Sequence, residues 1–458
     1  MSTNLGASRR QTIAQLLDSA QGGNPVQATG WVKTSRFSKN VSFVHLFDGS
    51  TTRTVQFVLP SDTDDALKKR LGVGAAVRVT GTWVESPGGK QDFEISATAE
   101  DVEVLGDSDP STYPLQKKRH SLEHLRTIAH LRGRTNTFQS VFRVRNALSW
   151  QIHQFFQDRG FLWIHTPIIA SSDCEGAGEI FDVTAGNDEG GFFGKPTFLT
   201  VSGQLEVECF SQAYTDVYTF GPTFRAENSN TTRHASEFWM IEPEMAFASL
   251  DDVIALAEDF IRTITKGVME QCPEDMEFFD KRIQKGLIES LTKVCDGTPF
   301  ARITYAQAQD LLVASGRKFE HPVGHGKHLQ SEHERYLAEE HFEGPVFITN
   351  YPIDQKAFYM RVADDNETME AVDLVVPRIG EIIGGSAREE RLDVLVQQME
   401  NRGMDAAPYW WYTDLRRWGS VPHGGFGLGF ERMLMWLTGM QNIRDVVAFP
   451  RTPGNAEF

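Results

Sequence analysis

The sequence predicts an α+β fold in two parts, a small N-terminal β-barrel followed by a larger domain in which helices flank an antiparallel sheet. Three observations predict it. Five short strand-like runs lie between Val26 and about Leu105, apolar residues recur at helical spacing from Phe138 onward, and strands and helices mix through the rest of the chain.

The strand-like runs are QATGWVKTSRF, VSFVHLFDG, TVQFVLP, AAVRVTGTWV and DFEISATAEDVEVLG, with Asp48-Gly49 and Pro87-Gly88-Gly89 as turn signals. Five short strands in about 80 residues suggest a barrel of the OB type, and a generic β-domain is the plainer alternative. The segment DSDPSTYPLQKKRH carries two prolines, small polar residues and the basic cluster Lys117, Lys118, Arg119 and His120. It reads as an interdomain linker, either a solvated hinge or a contact for a nucleic-acid backbone. The expected division is 1–106, 107–130 and 131–458.

Beyond the linker, Phe138, Val141, Arg145, Leu148, Ile152 and Phe155 keep helical spacing and Gly160 supplies a stop. The strand-like FLWIHTPII follows, and Pro167 restricts it to an edge or terminal strand. FLTV, VYTF, EFWMIEPEMAF and VFITNY read as further strands, and SLDDVIALAEDFIRTITKGVMEQ as a helix. His321, His325, His328 and His333 fit no common metal spacing and read as a loop entering a solvated helix, SEHERYLAEEHF.

With 458 residues, 40% of them hydrophobic, the chain can bury large cores. No apolar run approaches the roughly 20 residues that span a bilayer, and the start lacks a signal-peptide core. No membrane association and a cytoplasmic location are therefore expected. Cys174, Cys209, Cys272 and Cys295 are scattered without CxxC spacing, which argues against a zinc ribbon or a disulfide framework. A formal charge of −17 excludes indiscriminate binding to polyanions, so any nucleic-acid contact must be local.

Three segments carry the chemistry. The first runs from Gly160-Phe161 to Pro167-Ile168-Ile169. The second is Phe224-Arg225-Ala226-Glu227, the polar loop NSNTTRHASE and the strand Phe238 to Glu244; alternation would put Arg225 and Glu227 on one strand face, with an exposed ion pair as the plainer reading. The third is Gly425-Phe426-Gly427-Leu428-Gly429-Phe430-Glu431-Arg432, a glycine-rich strand entering a helix. Glycines there permit close approach of a ligand.

In this order and spacing the three segments resemble the three motifs of class II aminoacyl-tRNA synthetases. The resemblance implies that residues 131–458 form the class II catalytic domain and that the first motif builds a homodimer interface. It also implies an ATP site of Arg225, Glu227, His234, Phe238, Glu381 and Arg432. Arg225 would hold the α-phosphate, Glu227 the adenine amino group, Phe238 the adenine face and Arg432 the γ-phosphate. Arg225 and Arg432 are the implied catalytic residues.

AVDL, from Ala371, and GEIIGGSAR, from Gly380, narrow the resemblance to the aspartyl/asparaginyl branch. There Asp373 and Glu381 would hold Mg2+ on the ATP phosphates, Arg388 the substrate side-chain oxygen, and Glu175 and Gln204 its α-amino group. In the barrel, Arg36, Phe43 and Gln56 resemble the branch's anticodon contacts, Phe43 stacking a base and Gln56 reading an edge.

Val207 stands where the aspartyl pattern carries lysine, and Glu242 where it carries aspartate. Losing a cation and keeping a carboxylate favours a neutral amide over an acid, so Glu242 is assigned to the amino acid. Phrases such as SDCEGAGEIF, EIIGGSAREERLDVL and NIRDVVAFPRTPGNAEF also resemble the asparaginyl side of the branch. The resemblance thus implies L-asparagine, ATP and tRNA(Asn) as partners and an adenylate intermediate. Aspartate–tRNA ligation, a tRNA-independent amino-acid:ammonia ligase and a catalytically dead RNA-binding protein are the rival readings.

Overall fold

Alternation along the strands builds the first unit around a closed core. In a computed structural model describing residues 11–88, 91–174, 179–185 and 192–458, β1 (Pro25–Phe37), β2 (Val41–Phe47), β3 (Val55–Pro60), β4 (Ala76–Glu85) and β5 (Phe93–Ser96) pair in the order β1-β2-β3-β5-β4. Because β4 also pairs with β1, the ring closes. Val32, Val44, Leu46, Phe57, Leu59, Val77, Val79 and Ile95 point inward and are fully buried.

The fifth expected strand is two strands. Thr98 donates its N–H (2.8 Å) and hydroxyl (2.7 Å) to the Asp101 carboxylate, which winds Ala99–Asp101 into a 3-10 turn. The chain then re-enters as β6 (Val102–Gly106), a sixth strand paired to β4. Gly89, in the expected Pro87–Gly89 turn, lies outside the described residues.

The segment after β6 is not a free spacer. Asp107 pairs with Arg70 at 2.7 Å, Ser108 Oγ donates to the Val73 carbonyl at 2.9 Å, and Tyr113 packs on Gly74, whose φ of +89° and missing side chain admit the ring. Lys117, Lys118 and Arg119 are exposed, and short helices Leu122–Thr127 and Ala129–Arg132 follow. The chain divides into its two compact units at Ser140/Val141, within the helix Asn136–Asp158.

The second unit is organised by an eight-stranded sheet. Its strands are β7 (Leu162–Trp163), β10 (Asp216–Phe224), β11 (Glu237–Ala246), β12 (Ala301–Thr304), β13 (Val346–Pro352), β14 (Thr368–Val376), β15 (Gly380–Ala387) and β16 (His423–Gly429), in the order β12-β13-β14-β15-β16-β11-β10-β7. The inner pairings are antiparallel. Both edge strands run parallel to their neighbours, a departure from a wholly antiparallel sheet, because each reaches its partner through a long crossover.

Gly160, at φ +82°, ends the long helix ahead of β7. Past Pro167 the chain leaves the main sheet, and β8 (Ile169–Ala170) pairs instead with β9 (Phe198–Leu199). The helix Leu250–Gln271 begins in a capping box, Ser249 with Asp252, and buries Val253, Ala257, Phe260, Ile261, Ile264 and Val268. It packs across β14, β15 and β16, and each of the valine, isoleucine and phenylalanine side chains contributes about 1.5–3 kcal/mol.

The histidine-rich stretch is not a solvated helix. His333 is fully buried, accepts from the Gln330 N–H at 3.0 Å and meets the Phe319 ring edge-on. Burial lowers its pKa. The α-helix Ser331–Arg335 continues as π-helix through Tyr336–His341, with Leu337 and Ala338 in the core. His321 pairs with Glu332 and His325 with Asp310, each at 3.0 Å. Among the described residues, no helix is long and apolar enough to cross a membrane.

Candidate active site and nucleic-acid face

A cavity of about 320 Å3 opens over the sheet of the second unit. Gln204, Arg225, Glu227, His234, Phe238, Glu242, Asp373, Glu381, Arg388 and Arg432 all line it. Glu175 lies outside the described residues.

In one part of the cavity an arginine lies near an aromatic ring. Arg225 and Glu227 lie past the end of β10, so strand alternation does not orient them; instead the Arg225 N–H donates to the Ser236 carbonyl at 3.0 Å. Its guanidinium sits 5.4 Å from the centre of the Phe238 ring. His234 Nδ1 lies 3.1 Å from Ser229 Oγ and 2.5 Å from Thr231 Oγ1, and Nε2 faces Glu227 at 4.0 Å. Burial, then the positive charge of Arg432, lowers the His234 pKa despite Glu227, so near pH 7 the ring is neutral. Arg432, in the first turn of the helix Phe430–Thr438, donates to the Glu381 carbonyl at 3.1 Å.

In the middle two carboxylates converge. Asp373 lies opposite Gly384 across β14 and β15, and a register shift between Leu374 and Val375 re-aims Glu381. A Cβ placed on Gly384 would meet Glu381 Oε1 at 3.0 Å and Asp373 Oδ1 at 3.6 Å. Burial and the Asp373 charge raise the Glu381 pKa, opposed by Arg432 and Lys356. Behind it, Glu334 accepts from the Glu381 N–H at 3.2 Å, and burial followed by Glu381 pushes its carboxyl up to about 7. Two hard oxygen donors meeting over a bare glycine fit a small divalent cation completed by phosphate oxygens.

At the far end an acceptor and a donor are both immobilised. Glu242 accepts from the Gly203 N–H at 3.0 Å and from Ser202 Oγ. Arg388 is held by Glu244 through Nε at 3.1 Å and through Nη2, and by Ser386 Oγ at 2.8 Å. Burial disfavours the charged Arg388, but the adjoining fully buried Glu244, through its charge and hydrogen bonds, outweighs this and raises the Arg388 pKa, so the guanidinium stays charged. Gly425 makes room for it: a Cβ there would lie 2.5 Å from Glu244 Cδ and 2.1 Å from the Pro243 carbonyl oxygen. That glycine serves a neighbouring side chain, not a ligand.

In the first unit, Arg36 stands opposite Phe43 across β1 and β2, and Phe43 opposite Val58 on β3. Gln56 stands opposite His45, two residues from Phe43, so Arg36, Phe43 and Gln56 share the outer face of the barrel. Gln56 Nε2 donates to the buried Glu94 at 2.6 Å.

The sequence profile described as "tRNA synthetases class II (D, K and N)" matches residues 122–453. The chain belongs to the class II tRNA synthetases. A second profile, "OB-fold nucleic acid binding domain", matches residues 26–105. The asparagine–tRNA ligase of Picosynechococcus sp. is 56% identical, over 97% of this chain and 100% of its own length. That of Bacillus thuringiensis subsp. konkukian is 54% identical over 95% and 96%. The crystal structure of asparaginyl-tRNA synthetase from Pyrococcus horikoshii complexed with asparaginyl-adenylate matches with a TM-score of 0.88 and 30% identity, covering 98% of this chain and 99% of that one.

Several residues of this class II synthetase escape a motif reading. Glu244 has a signal, since the Glu-Pro-Glu alternation puts it on the strand face of Glu242. Lys356 has none: it is a lone lysine in DQKAF, yet it lines the cavity. Glu208 is the hub of a buried network. It accepts from Tyr412 Oη at 2.8 Å and from Arg416, contacts His423 Nε2 at 2.7 Å, and takes the Gln204 amide N–H. Burial would raise its pKa, but Arg416 and His423 outweigh that and bring it down to about 2. Glu208 engages the Gln204 nitrogen and the Cys174 thiol donates to the amide oxygen at 3.8 Å, which fixes that oxygen as the accepting end. Val207, on the same helix, is fully buried and is not among the residues lining the cavity.

Proposed function

We propose that the chain ligates L-asparagine to tRNA(Asn). An oxygen of the asparagine α-carboxylate attacks the α-phosphorus of ATP, the bond to pyrophosphate breaks, and asparaginyl-adenylate forms. A hydroxyl of the terminal tRNA ribose then attacks the acyl carbon and AMP leaves. The observation that carries this reading is the pairing of Glu242 with Arg388 in one cavity, each held by protein partners. A fixed acceptor and a fixed donor together match the NH2 and C=O of a carboxamide, whereas a carboxylate would set like charge against Glu242. ATP–pyrophosphate exchange tests it: asparagine is expected to support exchange and aspartate not to. A preference for aspartate would overturn the assignment.

Arg225 stabilises charge on the reacting phosphate and Arg432 on the leaving pyrophosphate. Glu227 accepts from the adenine amino group, Phe238 covers the ring, and neutral His234 completes the ATP set as a hydrogen-bonding group. Gln204 and Glu175 accept from the substrate ammonium. Asp373 and Glu381 are the residues that would hold Mg2+, which when bound would neutralise phosphate charge.

Residues 1–106 act as the anticodon-binding domain, 107–130 as the connection and 131–458 as the catalytic domain. Phe43→Ala is expected to weaken aminoacylation through tRNA by stacking worth about 1–3 kcal/mol, with asparagine-dependent exchange nearly intact. Equal losses in both assays would reassign Phe43 to barrel packing. A homodimer is expected because Leu162, Trp163, Ile168 and Ile169 are all more than 40% exposed along one short segment, leaving an apolar strip to be covered. Light scattering that finds an active monomer would refute it.

A further inference from the structure

Lys356 follows the short turn Ile353–Gln355, and its backbone is clamped there. Arg402 Nη2 donates to the carbonyls of Ile353 at 2.9 Å and Lys356 at 3.0 Å. The ammonium reaches both oxygens of Asp373, at 2.7 and 2.6 Å, and stands 3.9 Å from the centre of the Tyr351 ring. The two charged side chains are only 15% and 12% exposed, so water screens the pair weakly.

This pair sits inside a wider charge cluster. The Glu381 and Glu334 carboxyl groups lie beside Asp373, and Arg432 is a further cation, 3.7 Å from the Glu381 carboxyl group. An ammonium bridging both Asp373 oxygens occupies the lone pairs a divalent cation would use. A divalent cation and the ammonium would also repel each other at the weakly exposed Asp373 carboxylate.

We infer that Lys356 is the resident counter-cation of Asp373 and makes divalent-metal binding conditional on nucleotide. A bare metal ion must displace the ammonium from Asp373 without bringing an anion in exchange. A metal arriving with ATP brings phosphate oxygens toward which the released ammonium turns. Lys356 is thus a positioning residue that orders the loading of the site. The inference rests on Asp373 and Glu381 being the metal-holding pair.

Mn2+ is the probe, with its free concentration read by electron paramagnetic resonance on the full chain, with and without a non-hydrolysable ATP analogue. Wild type and Lys356→Arg are expected to bind Mn2+ weakly without nucleotide and tightly with it. Lys356→Met is expected to bind Mn2+ without nucleotide at least tenfold more tightly than wild type. If Lys356→Met is less stable, the same inference requires Mn2+ alone to raise its Tm and to leave that of wild type nearly unchanged. Equal affinity of Lys356→Met and wild type without nucleotide would overturn the inference while leaving the metal pair standing. Absence of Mn2+ binding even with the analogue, in every variant, would overturn both.

Discussion

Arg225→Ala is expected to lower asparagine-dependent ATP–pyrophosphate exchange by roughly a hundredfold or more, with the fold unchanged. The side chain emerges where β10 ends, and its backbone is tied to Ser236 by a hydrogen bond that does not involve the guanidinium. Truncation therefore removes a charged donor without breaking a strand. The guanidinium shares the cavity with Arg432, which is assigned to the leaving pyrophosphate, and with neutral His234. The measurement is exchange at saturating asparagine and ATP, beside a circular dichroism spectrum. Exchange within a fewfold of wild type would mean that Arg225 does not contact the reacting phosphate.

Glu242→Gln is expected to raise the KM for asparagine and to erode the rejection of aspartate. A site built on satisfied hydrogen bonds can reach roughly 10⁴-fold discrimination without editing. In wild type, both Glu242 oxygens already accept, from the Gly203 N–H and the Ser202 hydroxyl, which fixes the carboxylate as an acceptor toward the cavity. A glutamine has one accepting oxygen, so one of these donors loses its partner and the amide nitrogen turns toward the substrate or toward Gly203. A hydrogen bond to a charged group contributes about 1.5–3 kcal/mol, so the selectivity ratio should fall by about 10- to 100-fold. Exchange kinetics with both amino acids read this directly, and an unchanged ratio would remove Glu242 from side-chain recognition. Val207 offers no comparable handle. It is buried in the core, so Val207→Lys would bury an ammonium and destabilise the helix instead of retargeting the pocket.

The barrel and the three class II motifs were legible because each is local. Strand alternation, turn residues and a glycine-rich strand entering a helix are patterns within a few residues of one another. The five-stranded ring is as expected, but the same local logic read β5 and the added strand β6 as one, because nothing in DFEISATAEDVEVLG other than the Thr98–Asp101 hydrogen bonds marks the break. It also missed that Tyr113 and Asp107 are fastened to the barrel. It took the SEHERYLAEEHF helix for a solvated one, since burial of His333 depends on Phe319 and Gln330 folding over it.

By itself the sequence determined the α+β class, the barrel-then-sheet order and the residue types of the cavity, since periodicity, turn chemistry and motif spacing are properties of neighbouring residues. Only the tertiary structure decided how those residues are held. Glu244 behind Arg388, Arg416 and His423 on Glu208, Ser202 and Gly203 on Glu242, and Lys356 on Asp373 are contacts between residues well separated in the chain. Such partners leave no periodic trace. A buried charge needs an opposite charge or a hydrogen bond, and which distant residue supplies it depends on strand register and on glycines that clear the space.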